Sequence, residues 1–171
     1  TLPLPGLADA TLEAGTSDPQ GNLYYAMIQQ APQGRAESLV LKGSAYLVRP
    51  DGKPARELPL DLSKNAFNYF SGGGRGSMAF VNGFVGLILP RTMYMSGDGL
   101  HHQAAIAATF PADLSGVQLL GHTSSHSFGN VLVPGAAGDL LGVDLGDNYP
   151  RGVHLHRISR AAKGSRVVFT Y

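Results

Sequence analysis

The chain has 171 residues, a formal net charge of +1, only 15% charged and 43% hydrophobic residues, 23 glycines, 11 prolines and no cysteine. That length suffices for one domain with a real core, and the low charge excludes a disordered chain. Near-neutrality gives no whole-molecule attraction for nucleic acid, and no apolar stretch nears the ~18 residues of a membrane span. Without cysteine, disulfides, thiolate metal sites and thiol catalysis are excluded.

Taken in chain order, the apolar runs are short and bounded by turn residues, which predicts strands. Asn22–Gln29 follows the turn Asp18-Pro-Gln-Gly21. Leu39–Arg49 and Arg56–Leu60 flank Pro50-Asp51-Gly52-Lys53, and Ser77–Val81 and Phe84–Leu89 flank Asn82-Gly83. Both linkers are hairpin turns by composition, the second of the two-residue kind. Gln103–Phe110, Val117–Leu120, Ser127–Val133, Leu140–Leu145, Val153–Ile158 and Arg166–Tyr171 complete the predicted strands. Glycine and proline disfavour helix interiors. The only candidate helices are Leu12-Glu13-Ala14 and Leu62–Phe67.

A weak repeat runs through these strands. Gly83-Phe-Val-Gly86-Leu-Ile-Leu89 recurs 56 positions later as Asp139-Leu-Leu-Gly142-Val-Asp-Leu145, and Gly21–Ile28 plays a similar part earlier. The chain therefore divides into four-stranded antiparallel units over 1–62, 76–121 and 124–171. With its Asp-x-x-Gly-Asn-Leu-Tyr and Pro-Asp-Gly-Lys turns, this period resembles β-propeller repeats in general, without the WD dipeptide. The resemblance implies an all-β fold of blade-like units; a β-sandwich or barrel of about ten to twelve strands is the alternative. Propellers close with about four blades or more, so three blades imply part of a larger ring, or completion by copies or partners. The start at Thr1, with neither methionine nor a signal-like segment, suggests a processed product or a piece of a longer chain.

All six histidines fall between His101 and His156. In a blade, the loops joining strands two and three and those joining successive units share one face. Pro90–His102, His122–His126 and Asp147–Gly152 would all emerge there. The expected ligand face carries His101, His102, His122, His126, Asp147, Asn148 and Arg151, residue types that bind polar ligands or protons. His154 and His156 share one side of a strand and could chelate Zn²⁺ or Cu²⁺ with a third ligand. The same two residues equally suit an ordinary strand without metal.

Each feature also has a structural reading. His122 and His126 lie in a Ser/Thr-rich stretch whose groups can satisfy backbone at a unit junction. No Gly-x-Ser-x-Gly elbow accompanies Ser124 or Ser127. Asp144-Leu-Gly-Asp147-Asn148 lacks the EF-hand spacing, which leaves only a looser Ca²⁺ site. Arg151 can grip a ligand carboxylate or clamp Asp144 or Asp147. Arg75 sits in a glycine run that is not a phosphate-binding loop. Arg151, Arg157, Arg160, Lys163 and Arg166 are too dispersed for a nucleic-acid site. Tyr24, Tyr25, Phe67, Tyr69, Phe70 and Tyr94 are expected to pack the sheets, with any exposed ring free to stack on sugars.

The sequence thus favours a non-catalytic binding or assembly module, extracellular or at the cell surface, with a glycan or protein partner. The alternatives are a metal-dependent hydrolase or lyase using His154, His156 and a further histidine, and a structural segment of a large filament or ciliary assembly.

Overall fold

In a computed structural model of the chain, the residues described are 4–6, 8–30, 40–53, 55–60, 68–69, 76–95, 101–117, 119–122, 131–134, 140–146, 152–158 and 167–170. Every regular element among them is a strand. No helix among them is long and apolar enough to cross a membrane.

The first sheet is a simple meander of β1 (Ala10–Ser17), β2 (Leu23–Gln30), β3 (Val40–Val48) and β4 (Arg56–Leu60). The second contains β5 (Asn68–Tyr69), β6 (Ser77–Val81), β7 (Phe84–Met95), β8 (His101–Pro111) and β9 (Leu119–His122). There β5 and β6 pair with opposite ends of β7, and β8 and β9 follow in order. The third is again a meander, of β10 (Val131–Pro134), β11 (Leu140–Gly146), β12 (Gly152–Ile158) and β13 (Val167–Thr170). All pairings are antiparallel. The all-β, antiparallel expectation therefore holds, and the described sheets, open rather than closed into a barrel, suit blade-like units and a sandwich alike.

Strand alternation explains how the sheets stack, because successive side chains point to opposite faces. In the second sheet Met78, Val85, Leu87, Leu89, Ala108 and Phe110 turn one way, into a core shared with Ala14, Tyr24, Ala26, Ile28, Ala45, Leu47 and Leu60 of the first sheet. Ala79, Val81, Phe84 and Ile88 turn the other way and pack with Leu140 of the third sheet. The middle sheet is thus buried on both faces. The three sheets adjoin along β6, which contacts both β1 and β10, the first strands of the outer sheets. Gly76, entering β6, makes that approach possible: a Cβ there would stand 2.7 Å from the Ile88 carbonyl oxygen and 3.4 Å from that of Glu13.

The turns follow their residues. Asn82 (φ 44°) and Gly83 (φ 80°) are both left-handed, as a type I′ hairpin requires. In the Pro50–Lys53 turn, Gly52 takes φ 74° and the Lys53 amide donates to Asp51 at 3.1 Å. Leu114 is a bulky residue at φ 54°, yet only 2% exposed. Its side chain joins the first core, which holds the backbone in that unfavourable region.

Several expectations need correction. Leu12-Glu13-Ala14 is strand, not helix: β1 bulges between Leu12 and Ala14, so Glu13 and Ala14 are buried in succession and the period-two pattern breaks. The supposed loop Pro90–His102 is largely strand. β7 runs on to Met95 and β8 begins at His101, with a register shift between Leu89 and Thr92 absorbing Pro90. Val117 is exposed coil, and β9 starts at Leu119. The strand expected from Ser127 to Val133 is strand over Val131–Pro134, and 127–130 lie outside the described residues, as does Leu62–Phe67.

Candidate functional site

The predicted ligand residues divide into those with a described backbone and those without. His101 and His102 open β8, opposite Met95 and Tyr94 of β7. His122 closes β9, opposite Ile106. His154 stands opposite Asp144, and His156 opposite both Gly142 and Phe169. His126, Asp147, Asn148 and Arg151 lie outside the described residues.

Chain direction relates these strand ends. Leu140, at the start of β11, shares a core with Ala79, Val81, Phe84 and Ile88 of the second sheet. β7 runs from Phe84 to a far end at Met95, and β11 runs from Leu140 to Gly146. His101 begins its strand at that far end, and His122 ends β9 running toward it.

A second constellation, on the outer face of the first sheet, escaped the sequence reading. The register aligns Gly15, Tyr25, Tyr46 and Glu57 in one row across the four strands, with Leu12, Met27, Ser44 and Pro59 in the next. Tyr25 and Tyr46 stack with ring centroids 5.1 Å apart. Glu57 Oε1 accepts from Ser44 Oγ at 2.6 Å and from the Tyr46 hydroxyl at 3.2 Å. The Tyr25 hydroxyl donates to the Pro5 carbonyl oxygen at 2.5 Å, so the segment Leu4–Gly6 lies over this face. Both rings are buried, at 2% and 3% exposure, although they point away from the second sheet. Burial pushes the Tyr25 phenol up to about 12, helped by Tyr46. Burial also raises Tyr46, and the adjacent Glu57 carboxylate adds to the effect.

Grooves flank the Leu4–Gly6 strap. One, of ≈ 380 Å³, is lined by Leu4, Pro5, Gly6, Ala8, Leu12, Tyr25 and Met27. The other, of ≈ 370 Å³, runs along Leu4, Pro5, Val48, Arg49, Gly52, Lys53 and Ala55. The sequence conceals this site because Leu23–Ile28 is apolar throughout, and neither Pro5 nor Glu57 is near Tyr25 in the chain.

Asp18, in the turn between β1 and β2, is a structural clamp. Its Oδ1 accepts from the Gln20 and Asn22 amides at 3.0 and 2.9 Å, and its Oδ2 from Asn22 Nδ2 at 2.7 Å and the Tyr24 hydroxyl at 2.9 Å. Burial alone would raise this carboxyl, but the donated hydrogen bonds outweigh it and hold it below its usual range. Tyr24 itself packs between sheets, stacked 6.0 Å from Phe80.

No protein family and no curated protein sequence matches the chain. Two solved structures are similar in fold. A protein of unknown function from Dyadobacter fermentans DSM 18053 aligns with a TM-score of 0.54 at 12% identity, over 90% of this chain and 48% of its own. A xylan β-1,4-xylosidase from Bacillus halodurans C-125 aligns with a TM-score of 0.50 at 16% identity, over 95% of this chain and 31% of its own. The chain thus spans about half the length of the first and a third of the second. At such identities the likeness speaks for the fold alone.

Proposed function

We propose that the chain is a carbohydrate-binding, non-catalytic part of a propeller-like protein. Its three blade-like repeats, over 1–62, 76–121 and 124–171, would belong to a larger ring or assembly. One observation carries this reading: three stacked antiparallel sheets of four, five and four strands that meet along β1, β6 and β10, an arrangement similar in fold to a xylan β-1,4-xylosidase of about three times the length. The ligand is a neutral β-1,4-linked oligosaccharide, held by His101, His102, His122, His126, Asp147, Asn148 and Arg151. Imidazole and amide groups suit sugar hydroxyls because they both donate and accept, while the guanidinium donates and the carboxylate accepts. Placement outside the cell belongs to the same proposal.

Calorimetric titration with xylo-oligosaccharides tests it, with cello-oligosaccharides as the comparison. Saturable binding is expected, weakened about tenfold, roughly 1.4 kcal/mol, by His102→Ala or His122→Ala. Absence of heat with either sugar, or indifference to both substitutions, would sink the proposal. Sedimentation addresses the assembly half: a strictly monomeric chain at high concentration contradicts it.

One observation favours a second reading, a metal-dependent hydrolase or lyase. In the ladder Asp144 is the register partner of His154, and His156 lies two positions further along the same strand. Elemental analysis of the purified protein decides it. Stoichiometric zinc lost on His154→Ala supports the reading, and a metal-free protein discards it.

A further inference from the structure

We propose that the outer face of the first sheet is a docking groove for an extended, proline-containing peptide of a partner protein, a groove that the chain's own Leu4–Gly6 now fills. The occupant is indicated by what already lies there. Pro5 fixes its own φ, and its ring drives the preceding Leu4 into extended backbone, so this segment is ordered before it docks. The Tyr25 hydroxyl donates to the Pro5 carbonyl oxygen, and the ring stacks on Tyr46 as a rigid wall. Aromatic walls that offer hydroxyls to the carbonyls of a proline-bearing strand are the chemistry by which extended proline segments are recognised.

The strap fills the groove incompletely. Leu4 and Leu12 remain 52% and 54% exposed, and the grooves of ≈ 380 and ≈ 370 Å³ lie along its flanks. A longer peptide would cover Leu12 and Met27 on one flank. On the other it would meet Arg49 and Lys53, which favour an acidic residue beside the proline. The strap acts as a tethered competitor, so a partner's apparent affinity falls by the fraction of grooves left open.

The test uses the full chain and a fluorescein-labelled peptide, Leu-Pro-Leu-Pro-Gly-Leu, followed by anisotropy. The double variant Pro5→Lys/Gly6→Val unseats the strap and leaves Tyr25, Tyr46 and Met27 of the sheet unaltered: lysine frees the φ that Pro5 fixes and sets a like charge beside Arg49 and Lys53, and a Cβ at Gly6 would stand 2.6 Å from Met27 Sδ, which must move aside. Binding at least about tenfold tighter than to the wild-type chain is expected. In that background Tyr25→Phe, which removes only the donor, should weaken binding several-fold, and Met27→Asp should abolish it. A peptide with both prolines replaced by alanine should not bind.

Equal affinity for wild type and double variant overturns the proposal, as does binding indifferent to Tyr25→Phe and Met27→Asp. Dimerisation of the double variant in sedimentation would assign the groove to a second copy and equally overturn it. If circular dichroism shows the double variant unfolded, amide shifts in the wild-type chain at high peptide concentration decide instead. Shifts at Tyr25 and Met27 support the groove, and their absence removes it. The xylo-oligosaccharide titration is independent of these outcomes.

Discussion

Two buried polar residues of the first sheet, Asp18 and Tyr25, tie its stability to pH from opposite directions. Asp18 satisfies four donors with one carboxylate, so replacing a single oxygen is consequential. In Asp18→Asn, the new NH₂ group faces the Asn22 amide, donor against donor. A loss of about 1–3 kcal/mol is expected by urea unfolding at neutral pH. The carboxyl's folded-state value is lowered, so its stabilisation is present above the ordinary value of 3.8 and is lost as pH falls through the folded value. The gap between wild type and Asp18→Asn should therefore close in acid. A gap that stays constant would show that the charge contributes nothing. Tyr25 works in the opposite direction. Its phenol is raised to about 12, so its contribution is complete below about 10 and disappears as pH rises through 12. Ultraviolet difference titration of wild type against Tyr25→Phe should isolate one phenol ionising near 12. Unseating the strap should move it toward 10, and a phenol already at 10 in the wild-type chain would mean that the strap does not cover it.

At the scale of the elements, hairpins whose turns dictate their own backbone were readable in advance. Asn82-Gly83 demands two left-handed residues, and both are observed. Substituting Gly83→Ala should cost about 1 kcal/mol or more, because alanine must adopt φ 80° there. Thermal unfolding checks this, and an unchanged midpoint would mean that the turn relaxes. Phe84 and Leu140, which the sequence aligns 56 positions apart, meet in one core. What the sequence obscured were the two interruptions of regular pairing. The bulge at Glu13 shifts the alternation by one residue and mimics helical spacing. Pro90 looks like the end of a strand until the register shift of β7 absorbs it. The tyrosine face was hidden for another reason. Tyr24 and Tyr25 are adjacent, and only alternation within a folded sheet sends one into the core and the other to Pro5. Of the histidine cluster, the sequence shows that all six histidines fall between His101 and His156; which residues meet depends on pairings of distant strands.

At the scale of the whole molecule, the middle sheet decides whether the chain unfolds as one unit. Its two faces belong to different cores, one shared with the first sheet and one with the third. Phe84 and Leu87 lie on the same strand, are 1% and 0% exposed, and point into opposite cores. Phe84→Ala should cost about 3–5 kcal/mol and Leu87→Ala about 2–5 kcal/mol, from lost burial and the cavity left behind. Their side chains belong to different cores, so in the double variant the costs should add to within about 0.5 kcal/mol. Because β7 takes part in both cores, each single variant should still melt in one calorimetric transition, without early loss of either outer sheet. Hydrogen exchange should report the same order, with the amides of β7 slowest and protection falling toward β4 and β13, the last strands of the outer sheets. If Phe84→Ala splits the melt in two, the third sheet is a separately folding unit. The stack then ceases to be one cooperative body, and the strand ends of its second and third sheets could not be held as a single binding surface.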